Sequence, residues 1–234
     1  MSRLIQCAAM VIAAFVSPCI AGEPDKSRDA LQKLNEFVGE WKGVGGPDKT
    51  KVSPDDPSWK ETISWAWRFK KEDRWLAFQI QNGTYLKSGE VKYLVDKARY
   101  ELSVEDVRGQ KATYLGQRDD KGYVTFDRTD ASSGETQQFV MNMAGDGTRF
   151  VYRYAVKPKG RTVFTKVYQV AATKEGESIA SKPGSTGFEC IVTGGKGTIP
   201  VTYKGKTYYV CCTGCRDAFN ENPEKYINEA NKKK

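Results

Sequence analysis

From Thr62 to Phe69 polar and apolar side chains alternate, which puts Ile63, Trp65, Trp67 and Phe69 on one face and Thr62, Ser64, Ala66 and Arg68 on the other. A period of two is the mark of a half-buried strand. Trp75 to Ile80 repeats the pattern with Leu76, Phe78 and Ile80 together, and Asn82-Gly83 predicts a primed hairpin turn after it, because both residues tolerate positive φ. Further strands are predicted over 90–96, 100–104, 112–116, 123–128, 136–143, 148–157 and 161–170, separated by clusters of Gly, Asp, Asn and Lys. Short strands broken at such regular intervals predict an all-antiparallel meander rather than βαβ units.

Ahead of the strands, Asp29 to Val38 predicts a short amphipathic helix, with Leu31, Leu34 and Val38 on one stripe. It runs directly into Gly39-Glu-Trp41-Lys-Gly43. A plug helix followed by Gly-x-Trp on a first strand resembles the lipocalin and wider calycin superfamily. That resemblance implies an up-and-down barrel of about eight to ten strands over 31–172, with Trp41 closing one end. Trp41, Trp65, Trp67 and Phe78 are then either barrel core, the commoner role for aromatics at this period, or the lining of a site for one small apolar ligand.

The candidate chemistry lies at the other end of the chain. Cys190, Cys211, Cys212 and Cys215 bracket Val201 to Val210, a stretch of strand composition with a Gly turn in its middle. A hairpin there returns Cys190 to the other three, and gathered thiolates form a soft-metal site. Together with Tyr203-x-Gly205-Lys-x-Tyr-Tyr209 and Phe219-x-x-Asn222-Pro-x-x-Tyr226, this spacing resembles the YHS/TRASH family of small heavy-metal-binding modules. Where many members carry an Asp-Pro-Val-Cys-Gly knuckle, this chain reads Phe188-Glu-Cys-Ile-Val-Thr-Gly194. The resemblance implies a small α+β module, over 187–230, that handles heavy metal. A helix is expected from about Cys215 to Phe219, and Asn222-Pro223-Glu224 reads as the cap of a last helix. Cys190, Cys211 and Cys215 are the expected ligands; Cys212, one residue on, projects differently and is a fourth candidate. Three thiolates without imidazole suit Cu(I), whereas Zn(II) takes a fourth donor.

Met1 to Ala21 has a short positive start, an apolar run too short to span a bilayer and small residues at its end, the pattern of a cleaved signal peptide. Pro18 and Val16 fit a lipobox at Cys19 poorly, so a periplasmic or secreted protein is expected rather than a lipoprotein. Residues 22–30 read as an N-terminal linker, 173–186 as a Ser, Gly, Pro and Lys linker, and 231–234 as a basic tail. An oxidising compartment also favours a disulfide among the four cysteines, but three thiols within five residues suit one ion better than a strained bridge between neighbours.

The net charge of +8 is spread along the chain, the pattern of a solvated surface rather than of a nucleic-acid interface, and no later stretch is apolar enough for stable membrane insertion. No histidine is present, which closes Ser-His-Asp and Cys-His catalysis and leaves no imidazole for haem. Glu61, Asp96, Glu105 and Asp106 read as solvated strand and loop ends, so no catalytic residue is assigned. The sequence is therefore read as an exported, non-enzymatic protein that binds one soft metal ion, copper or zinc, for trafficking, sensing or resistance. A carrier whose barrel takes a small apolar ligand above a structural metal or disulfide is one alternative. A thiol-disulfide redox protein is the other, since Cys212-x-x-Cys215 has the redox spacing without a surrounding βαβ pattern.

Overall fold

The computed structural model describes residues 25–51, 53–145, 147–174 and 187–232. The predicted signal peptide, most of the predicted linker and the last two residues of the basic tail lie outside the described residues. Strands β1 (Gly39–Pro47), β2 (Trp59–Lys70), β3 (Asp73–Gln81), β4 (Leu86–Leu94), β5 (Arg99–Asp106), β6 (Lys111–Arg118), β7 (Val124–Thr129), β8 (Thr136–Ala144), β9 (Arg149–Lys157) and β10 (Thr165–Lys174) form a closed, antiparallel, up-and-down barrel. Each strand pairs with its neighbours in sequence, and β1 closes on β10 with Trp41 opposite Lys174. Closure pairs every strand on both sides and leaves no free barrel edge.

Strand β2 shows why the sequence closes this way. Glu61, Ile63, Trp65 and Trp67 are buried on its inner face, while Lys60, Ser64 and Arg68 are exposed outside. Trp65 faces Phe78 across the β2–β3 pair at a ring separation of 4.5 Å, and Trp67 stands opposite Leu76. The predicted barrel aromatics are all core: Trp41, Trp65, Trp67 and Phe78 are at most 2% exposed. Between Trp65, Phe78, Met141, Phe150 and Tyr152 the apolar space measures about 10 Å³, the room of one water molecule at most.

The plug differs in detail from the predicted single helix. Helix α1 (Lys26–Gln32) starts within the expected linker because the Asp25 carboxylate accepts from the Arg28 amide at 2.9 Å and caps it there. It ends before Val38, and Asn35–Phe37 forms a separate 3-10 turn that drives Phe37 into the barrel against Phe150, ring centroids 5.0 Å apart. Trp41 donates its indole N–H to the Phe37 carbonyl at 2.8 Å, which ties the plug to the first strand.

Three other expectations shift. The turn after β3 is not a two-residue primed turn: only Asn82 has positive φ, and the chain re-enters the sheet at Leu86. Gly83 is needed there for space, since a methyl on it would approach the Ile80 side chain to 2.8 Å and the Leu86 carbonyl more closely. The last barrel strand runs to Lys174 rather than Val170, with Thr173 pairing with Lys42. Finally, Glu61 is not a solvated strand end. It is 4% exposed inside the barrel, accepting from the Tyr152 hydroxyl at 2.7 Å and the Trp59 indole at 2.8 Å. Strand alternation put it on the inner face in phase with Ile63, which the charge of the side chain obscured.

Beyond the barrel lie a two-residue pair of strands, β11 (Phe188–Glu189) and β12 (Lys196–Gly197), and the hairpin β13 (Ile199–Tyr203) and β14 (Lys206–Val210). Lys204 and Gly205 both adopt positive φ, as a two-residue primed turn demands. Helices α2 (Thr213–Glu221) and α3 (Pro223–Asn231) follow, α2 reaching beyond its predicted bounds at both ends. The cap predicted for α3 is present: Asn222 accepts from the Lys225 amide at 3.1 Å with Pro223 in the first turn. This module sits on the plugged end of the barrel. Arg28 donates to the Val192 carbonyl at 3.0 Å and pairs with Glu229 at 2.8 Å, so one side chain of α1 holds two arms of the module. No helix among the described residues is long and apolar enough to cross a membrane.

Candidate metal centre

Two arms meet at the cysteines. The first is the knuckle from Cys190 to Gly195, closed by the Gly194 amide donating to the Cys190 carbonyl at 2.8 Å and the Cys190 amide to the Gly195 carbonyl at 2.6 Å. Gly194 has φ +75°, the left-handed conformation that such a tight reversal needs. Strand β14 carries the second arm, and the Ile191 amide joins the two by donating to the Tyr209 carbonyl at 2.9 Å. Phe188 stacks on Tyr209 with ring centroids 3.7 Å apart, holding the knuckle over the hairpin.

The hairpin does what its spacing predicts. The sulfurs of Cys190, Cys211 and Cys215 lie within 4.8 Å of one another, with Cys211 and Cys215 3.5 Å apart. All four cysteines are free thiols. Around one ion with metal–sulfur bonds of about 2.3 Å, tetrahedral ligands stand about 3.8 Å apart, so the three thiols need only small adjustments to share it. Cys212 caps α2 and is buried. Its thiol borders Cys211 and Cys215 and reaches the Trp67 backbone, outside the triangle of the other three.

Packing four thiols this closely splits their acidities. Hydrogen bonds donated by Cys211 and then Cys215 hold the Cys190 thiol well below the ordinary range, and the same two donors lower Cys212. Burial, followed by the proton it shares with Cys190, pushes Cys215 up; hydrogen bonding to Cys190 and then Cys212 raises Cys211. A bound soft cation would take the place of the protons these thiols share. This donor set fits a soft metal.

The thiols differ in exposure. Cys190 and Cys215 are buried, Cys211 is half-buried, and Phe219 closes the inner side under Tyr208 at a ring separation of 5.5 Å. A groove of about 830 Å³, bordered by Arg28, Asn35, Glu189 and Tyr209 among the described residues, reaches Cys190 and Thr193.

Thr193 escapes detection in the sequence. It is buried, its hydroxyl stands 3.4 Å from the Cys211 sulfur, and the Cys215 thiol points to the same hydroxyl at 3.9 Å. A threonine beside a knuckle carries no signal of its own; only the fold brings it to the thiols.

Among known families, the YHS domain matches residues 198–230. The match takes in Cys211, Cys212 and Cys215, and the fold adds Cys190 from just outside it. A closed ten-stranded barrel therefore precedes a YHS domain in this chain. Comparison with curated proteins gives no match.

Proposed function

We propose that this protein is an exported, non-enzymatic metal-binding protein whose Cys190, Cys211 and Cys215 hold one soft ion, Cu(I) or Zn(II), for trafficking, sensing or resistance. The observation that carries the reading is the convergence of three thiols, two buried and one half-buried, beside a groove. A purely structural site is closed on every side, whereas a site that passes its ion onward keeps one ligand within reach of a partner. Cu(I) is satisfied by the three thiolates; Zn(II) would recruit Cys212, which borders two of them.

The test is metal stoichiometry by native mass spectrometry on protein purified from its own compartment. Wild type should carry one ion, serine at position 190, 211 or 215 should abolish stoichiometric loading, and Cys212→Ser should weaken it less. Equal metal content in wild type and Cys215→Ser would defeat the proposal.

A further inference from the structure

Both arms of the thiol cluster rest on a single residue of the barrel. Trp67 lies on the inner face of β2 at the plugged end, fully buried. Its backbone carbonyl is the floor on which α2 sits: a methyl on Gly214, the residue before Cys215, would lie 3.0 Å from the Trp67 carbonyl carbon and closer still to its oxygen. Its side chain reaches the other arm. The Trp67 indole N–H donates to Asn35 Oδ1 at 2.8 Å, and Asn35 Nδ2 donates to the Thr193 carbonyl at 3.2 Å. Gln32 adds a second donor to that carbonyl at 2.6 Å.

The chemistry of this bridge selects asparagine. An indole N–H can only donate and a backbone carbonyl can only accept, so the residue between them must offer one acceptor and one donor on a short, flat group. Aspartate would turn an oxygen toward the Thr193 carbonyl; an aliphatic residue would leave both partners unmet. Through Thr193, whose hydroxyl borders the sulfurs of Cys211 and Cys215, the bridge ends at the thiols.

We infer that Asn35, braced by Trp67 and assisted by Gln32, is a positioning residue of the metal centre: the plug of the barrel sets the knuckle arm at a fixed distance from the α2 arm. The inference rests on the metal-binding reading above and assigns the barrel a part in it. Hydrogen-bond partners behind the ligands fix ligand orientation, and their loss typically lowers metal affinity by about 10–100-fold.

Co(II) is the probe, because its visible bands report thiolate ligation and coordination geometry. Asn35→Asp keeps the acceptor for Trp67 and makes the Thr193 contact repulsive. It should lower Co(II) affinity about 10–100-fold and alter the spectrum of the loaded site, with the β-barrel circular dichroism unchanged. Gln32→Ala, which leaves the Trp67–Asn35 bond intact, should give a smaller loss in the same direction, and it decides the matter should Asn35→Asp fail to fold. Wild-type affinity and an unaltered Co(II) spectrum in the folded variants would overturn the positioning role, even with a lowered melting temperature. A wild-type protein that takes up neither Co(II) nor Zn(II) nor Cu(I) would instead remove the metal-binding reading, and this inference with it.

Discussion

Gly214→Ala tests whether the module is seated on the barrel as a fitted part. Gly214 is in the first turn of α2, and replacing glycine by alanine in a helix ordinarily stabilises it by about 1 kcal/mol. Here the added methyl would stand 3.0 Å from the Trp67 carbonyl carbon, whereas carbon atoms settle at about 3.5–4.0 Å. Neither side can yield easily. Trp67 is locked opposite Leu76 in the β2–β3 ladder and bonded to Asn35, and Cys215, next to Gly214, is fully buried. The carbonyl oxygen is closer still and sets the displacement, so helix α2 must lift by roughly an ångström or more, and overpacking of this kind costs about 1–3 kcal/mol. The expected sign is the reverse of helix propensity. Urea or thermal unfolding should show destabilisation in Gly214→Ala, while Asn220→Ala, exposed on the same helix, follows propensity and is neutral or mildly stabilising. A Gly214→Ala protein at least as stable as Asn220→Ala would refute the seating.

Glu61 gives a pH-dependent prediction. Burial raises its carboxyl above the ordinary value of 4.5, only partly opposed by the hydrogen bonds from Tyr152 and Trp59, so the native barrel holds that proton more tightly than the unfolded chain does. Its stabilising contribution is complete below pH 4.5 and is lost as pH rises toward the native value, by about 1.4 kcal/mol for each pH unit that separates the two. Glu61→Gln stays neutral and can still bond both partners, so its melting temperature should gain on wild type between pH 4 and pH 8; an equal difference at both ends would contradict the burial argument. For the ion itself, a competing thiol chelator should remove metal within minutes while the circular dichroism of the full chain stays constant. Release that tracks unfolding at every chelator concentration would reassign the ion to a structural role.

The alternation over Thr62–Phe69 and Leu76–Ile80 was legible because the inner residues there are large and apolar and the outer ones small or polar. The cysteine hairpin was legible because spacing and turn residues agree. Two kinds of feature escaped. Glu61 is charged yet buried, and periodicity assigns its face correctly only when the identity of the side chain is set aside. Asn35, Thr193 and Gly214 act through contacts between segments far apart in the chain, and each is ordinary in its local sequence. Long-range pairing with β1 likewise extends β10, whereas the start of α1 is set locally by the Asp25 cap.

A small metal module standing alone draws much of its folding energy from the ion, so losing the ion and losing the fold are one event. In this chain the buried side chains of the module, Cys190, Val210, Cys215 and Phe219, belong to the same continuous core as Leu31, Leu34 and Trp67 of the barrel. Arg28, Gln32 and Asn35 hold the knuckle, and the Trp67 carbonyl supports α2, without any metal bond. Stability supplied by the barrel is stability the ion does not have to supply. Under the proposed function, that division lets the ion come and go while the thiols stay in place, and it gives the barrel a purpose that needs no ligand of its own.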